Sequence, residues 1–163
     1  MVYYNLSLVH LLLALGAVTC IYLVVRELRR IYVSQWRLFA PVLAALFVAG
    51  GLFLMQIVSG QPRWAFAAAA VVGLTIGVAR GLMIGLSHDL YHPRIVISHI
   101  AKLTLLGVSL GIGLCVVLEI IGALASPALE KVRFWAALSA VVCAIAMLGR
   151  ASVLTIRLNL QHQ

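Results

Sequence analysis

Charge is scarce in this chain: charged residues make up 10% of its 163 positions, and only four of them are Asp or Glu. A soluble domain of this size usually carries about 25% charge. Paired acid/base carboxylates are therefore not apparent, and neither is a Ser/His/Asp set. Three cysteines, Cys20, Cys115 and Cys143, stand far apart with no Cys-x-x-Cys pair, and read as small packing residues. A phosphate-binding glycine loop is also missing, because the glycine series lies inside an apolar run. These absences argue against an enzyme. The net charge of +8 does not point to nucleic acid either, since no polar domain is present to display a basic patch. No cofactor is implied.

What the chain has is hydrophobic length. Residues of the apolar class make up 64% of it, and roughly 20 apolar residues in helical form cross a bilayer's hydrocarbon core. Five such spans are read: Asn5–Val25, Phe39–Ser59, Trp64–Leu86, Ile95–Ala125 and Phe134–Ile156. The breaks between them are short: Arg26 to Arg30, Gln61-Pro62-Arg63, His88 to Arg94, and Ser126-Pro127. The expectation is an all-α, polytopic membrane protein, a bundle of about five transmembrane helices forming one domain over residues 1–163. The first span has its basic residues after the apolar run and no small-residue cleavage site, so it reads as a retained helix and not a signal peptide.

Orientation follows from Lys and Arg, which accumulate on the cytoplasmic side. With the N-terminus outside, Arg26, Arg29, Arg30, Arg37, Arg94, Lys102 and Arg157 fall inside, and Arg63, Lys131 and Arg133 outside. N-out, C-in is favoured, and the bias suggests a bacterial inner membrane. Arg80 and Arg150 then lie toward the inner ends of their helices, where they could snorkel to the headgroups. Trp36, Trp64 and Trp135 fall at span ends, as interfacial aromatics do. The flanking cations would meet anionic lipid headgroups.

Helix three carries Gly73, Gly77, Gly81 and Gly85, one glycine every four residues. Such a groove lets another backbone approach closely where lipid supplies no hydrophobic drive. Helix four has a shorter series in Gly107, Gly111 and Cys115, and the hairpin between the two helices suggests that these faces pack on each other. The same faces could serve homo-oligomerisation or other membrane subunits.

His10, Gln56 and Glu119 come to a similar depth in the outer half, and a lone carboxylate in hydrocarbon must be protonated, paired or wet. Glu119 could pair with His10, or simply hydrogen-bond the rim of the bundle. In the inner hairpin His88 and His92 stand at i, i+4, a spacing for a divalent metal on a helix, but Pro93 disfavours helix at His92. They are weak metal candidates, and no metal site is expected.

The order of features is similar to a family of small bacterial membrane proteins, the CcdC-like group. The resemblance rests on the arginine-rich end of helix one, Trp36-Arg37-Leu38-Phe39, Gly73-x-x-x-Gly77-x-x-Arg80-Gly81, and Leu148-Gly149-Arg150. What it implies is modest: that family is named for an association with cytochrome c biogenesis genes, and its members have no established catalytic residues. This chain departs from it in the hairpin histidines His88, His92 and His99. The leading expectation is an accessory or assembly subunit that packs beside a larger membrane complex. The alternatives are a small proton-coupled transporter or channel using Glu119 and His10, with Arg80 a further candidate, and a pigment- or quinone-binding subunit with a single histidine ligand such as His10.

Overall fold

The structure is a computed structural model, and it describes residues 8–29, 35–84, 86–88, 95–97, 99–124 and 129–160. Five helices form it: α1 (Leu8–Leu28), α2 (Gln35–Val58), α3 (Arg63–Met83), α4 (His99–Leu124) and α5 (Glu130–Leu160). All five are long and apolar enough to cross a membrane. Many large hydrophobic side chains face outward, among them Leu11, Leu15, Val18, Phe47, Leu54, Val71 and Leu114. An outward surface of this kind suits a hydrocarbon surround.

A two-stranded antiparallel ribbon, β1 (Leu86–His88) with β2 (Ile95–Ile97), stands between α3 and α4. This corrects two span boundaries, because Leu86 and Ile95 to Ile97 had been read as helix. Pro93 and the β-branched run Ile95-Val96-Ile97 favour extended backbone, so α4 starts only at His99. At its far end α5 runs on to Leu160, past the expected Ile156.

The helices alternate in direction, so α1, α3 and α5 begin at one end, here the upper, and finish at the lower. α5 is the post of the bundle. It packs on α2, α3 and α4, while α1 packs on α2 and α4 from the opposite side. The core consists of small and branched residues, including Leu13, Ala17, Ala45, Val48, Leu52, Ile112, Ala137, Ala140 and Ala144. At the upper end Phe66 meets Phe53 and Phe134 edge to face, with ring centroids 5.0 and 5.7 Å apart. Such pairs add about 0.5–1.5 kcal/mol beyond their buried area. α2 closes there with a Schellman turn. Gly60 takes φ 81°, its N–H donates to the Ile57 carbonyl (3.0 Å), and Gln61 N–H donates to the Gln56 carbonyl (3.1 Å). A positive φ at C′ is the position glycine fills without a Cβ penalty.

The glycine face of α3 meets α5, not α4. A Cβ built at Gly73 would lie 2.6 Å from the Val142 carbonyl oxygen, and one at Gly77 would press still closer on the Ala146 carbonyl. At Gly81 it would meet the Val153 side chain at 2.8 Å. Residue numbers rise together along both helices, so α3 and α5 are parallel neighbours. Gly149 answers from α5 with room for the Leu74 carbonyl and side chain. The fourth glycine of the series, Gly85, lies outside the described residues.

Gly107 and Gly111 do not take part in any such packing: a Cβ at either would meet nothing within 4 Å. The helical phase explains the correction. Gly113, two residues beyond Gly111 and so roughly 200° around the axis, is the α4 glycine turned toward Ile21 of α1. The α1–α2 contact also uses glycine. Gly51 makes room for Leu13, and Gly16 for Val48, at 2.9 Å from a built Cβ.

Overpacking a core typically costs about 1–3 kcal/mol. Gly77→Leu should therefore lower the detergent melting temperature and free α3 from α5, whereas Gly107→Leu should leave it unchanged. Thermal unfolding of both variants, with a Gly81-to-Val153 cysteine cross-link as proximity readout, checks this.

Candidate functional site

The buried polar residues of the described chain are His10, Gln56, Ser109, Glu119 and Arg150. Three of them, His10, Gln56 and Glu119, were expected at one depth. The structure brings two of these into contact. Gln56 of α2 donates from Nε2 to Glu119 Oε2 of α4, at 3.5 Å. His10 is buried on α1, in the stripe with Leu13, Ala17, Cys20 and Val24.

The charge of Glu119 is met from α5. Arg133 donates through Nε to Glu119 Oε1 at 2.9 Å and closes the ion pair through a second guanidinium nitrogen. The Glu119 side chain is 1% exposed and that of Arg133 25%. Arg133 is thus an ion-pair partner of Glu119. The reason is geometric. Glu119 and Arg133 stand seven residues either side of Ser126, and antiparallel neighbours equidistant from their turn share a depth. That symmetry was the available signal for Arg133, which had been read only as a charge on the outer side.

A second residue the sequence reading passed over is Gly122. A Cβ there would run into Cγ and Cδ of Arg133. One turn beyond Glu119 on the same helix face, Gly122 leaves a channel across α4 in which the arginine stem lies. Nearby, Gln61 donates to Glu130 Oε1 at 3.2 Å, tying the α2–α3 connection to the start of α5.

Chemically this arrangement is a clamp. Both oxygens of Glu119 are engaged, one by a cation and one by an amide, and it joins α2, α4 and α5.

At the lower end Arg157 of α5 reaches the last turn of α3. It donates to the carbonyls of Gly81 (3.0 Å), Leu82 (3.2 Å) and Ile84 (2.8 Å). Carbonyls at a helix C-terminus generally lack intrahelical partners, and a cation there also suits the helix dipole. Arg80 is exposed, as snorkelling requires. Arg150 is not: it is 8% exposed, so the expected snorkelling of that side chain is corrected to burial beside α3. Gly81 sits against it, with a built Cβ 3.4 Å from the Arg150 Cα.

His88 lies in β1, so it does not share a helical face with His92, which is outside the described residues. The helical i, i+4 geometry raised for these weak metal candidates is therefore absent at His88. Among the described residues no three His, Cys, Asp or Glu side chains gather around one point. Cys20 is fully buried and directs its Sγ toward the Pro41 carbonyl at 3.5 Å.

Comparison with family models, curated proteins and solved structures returned no match.

Removing one member of a buried ion pair costs about 3–5 kcal/mol, while replacing both with apolar groups can be nearly neutral. Arg133→Ala should thus destabilise the bundle more than the double change Glu119→Leu with Arg133→Met. Melting temperatures of the single and double variants in one detergent give the sign directly, and the reverse order would deny the clamp.

Proposed function

We propose that the chain is an integral membrane protein of a bacterial inner membrane, N-out and C-in. It acts there as a non-enzymatic accessory or assembly subunit beside a larger membrane complex. The observation that carries this reading is the open glycine pair of α4. Gly107 and Gly111 stand at i, i+4 with nothing within 4 Å of a built Cβ. The α3 series is already used against α5, so docking on a partner helix falls to α4. Small residues at this spacing are what helix association in lipid uses. The CcdC-like resemblance agrees with a role of this kind and stands on its short motifs alone.

The transport alternative is weakened by the clamp. Glu119 would have to gain and lose a proton or ion, yet Arg133 and Gln56 hold both its oxygens. Expulsion of that arginine at each cycle would be costly.

Extraction of the protein in a mild detergent, followed by identification of what co-purifies, tests the reading. A stoichiometric partner is expected with the wild type and lost in Gly107→Leu/Gly111→Leu, at unchanged melting temperature. A lone protein in both cases would overturn it. A pH-dependent flux abolished by Glu119→Gln would put the transporter in its place.

A further inference from the structure

α3 and α4 scarcely touch, because α3 leans on α5. Between them runs a cleft of about 470 Å³ with α5 as its floor. That volume falls within the range of small-molecule sites, about 300–1,000 Å³. Its upper part is apolar, formed by Ile76, Leu105, Val108, Val142 and Cys143; its lower part holds Arg80 and Arg150. From Ile76 to Ile84 the cleft extends roughly 12 Å along the helix axis.

The two arginines are what need an explanation. Arg150 is 92% buried, and its Nε is enclosed without a hydrogen-bond partner among the described residues. Arg80 lines the same end of the cleft, so two positive charges face one apolar space. The carboxylates among the described residues are engaged elsewhere: Glu119 with Arg133, Glu130 with Gln61, and Glu27 in the field of Lys102 and Arg37. A buried donor left unsatisfied and two like charges in an apolar wall are both costly. An anion between them would offset both costs at once. Phosphate oxygens match the guanidinium fork, which presents parallel N–H groups. The apolar stretch that continues above the arginines calls for a hydrocarbon chain on the same molecule.

We propose that the α3–α4 cleft is a binding site for one anionic glycerophospholipid, its phosphate between Arg80 and Arg150 and an acyl chain along Ile76, Leu105 and Val108. The proposal rests on the reading of the chain as membrane-embedded. It differs from general attraction of headgroups to flanking cations, because it requires one lipid at one place. Arg80, at the surface, receives the headgroup; Arg150, inside, fixes its depth. The lipid then fills the gap left between α3 and α4 and holds α3 from the side that α5 does not cover.

Native mass spectrometry and thermal unfolding of the detergent-purified protein test this, with added dioleoylphosphatidylglycerol, dioleoylphosphatidylcholine or sodium phosphate. One phosphatidylglycerol per chain should be retained and should raise the melting temperature, with phosphatidylcholine and inorganic phosphate doing neither. Loss of charge-assisted hydrogen bonds in Arg80→Gln and Arg150→Gln should weaken retention by about tenfold or more each. Arg37→Gln, a control for exposed charge at the same end, should retain the lipid. Val108→Trp keeps both arginines and fills the acyl part, so it too should lose the lipid. Should Arg150→Gln fail to fold, exposed Arg80 and Val108→Trp still decide the matter.

Equal retention of phosphatidylcholine, or retention unaffected by Arg80→Gln and Val108→Trp, would overturn the site. Protection by sodium phosphate alone would show a free-anion site and overturn the lipid assignment. Recovery of the native protein in the soluble fraction after a carbonate wash would overturn the membrane reading itself, and with it the site.

Discussion

The close approach of two helix backbones, α3 on α5, is the contact on which the rest of the arrangement depends. In hydrocarbon the side chains of neighbouring helices gain nothing by leaving lipid, so association has to come from packing and hydrogen bonds. Gly73, Gly77 and Gly81 remove the side chains that would hold the backbones apart. Arg157 then spans the interface to the open carbonyls at the end of α3. Because α3 has committed its small face to α5, it stands clear of α4, and the cleft between them follows directly. The burial of Arg150 follows too, since the helix that covers it is the same one.

The two ends of the bundle treat charge in opposite ways. At the upper end Glu119, Arg133 and Gln56 form a closed set inside the protein, with Gly122 clearing the path of the arginine stem. At the lower end positive charge is in excess, and among the described residues Arg157 meets backbone carbonyls. Charge is satisfied internally at one end, whereas at the other Arg80 and Arg150 face the cleft between α3 and α4.

Much of the architecture was legible in the residues, because hydrophobic length is a coarse signal that survives any packing arrangement. The five apolar runs are five helices long enough to cross a membrane. Which helices meet was not legible. A glycine face states that some backbone comes near, and says nothing of whose it is. The hairpin made α4 the obvious neighbour of α3. The partner's own small stripe, Val142, Ala146 and Gly149 on α5, was the better clue, and parallel packing of non-consecutive helices is invisible to any reading of adjacent spans. The ribbon was legible in principle from Pro93 and three β-branched residues, but apolar content drew Ile95 to Ile97 into a span. For Glu119, depth put Gln56 at a similar level, and the two side chains do meet. It did not single out Arg133, because depth leaves the angular position around the bundle undetermined.

The parallel pairing of α3 with α5 also has a meaning in time. The residues joined by the Arg157-to-Gly81 hydrogen bond are 76 positions apart, so at about 5–20 residues per second a ribosome needs roughly 4–15 s to make the second after the first. Throughout that interval the glycine groove of α3 is complete while the helix that fills it is not. α3 is thus made well before the helix against which it packs. For those seconds the nascent chain carries a small-residue surface without the helix that fills it.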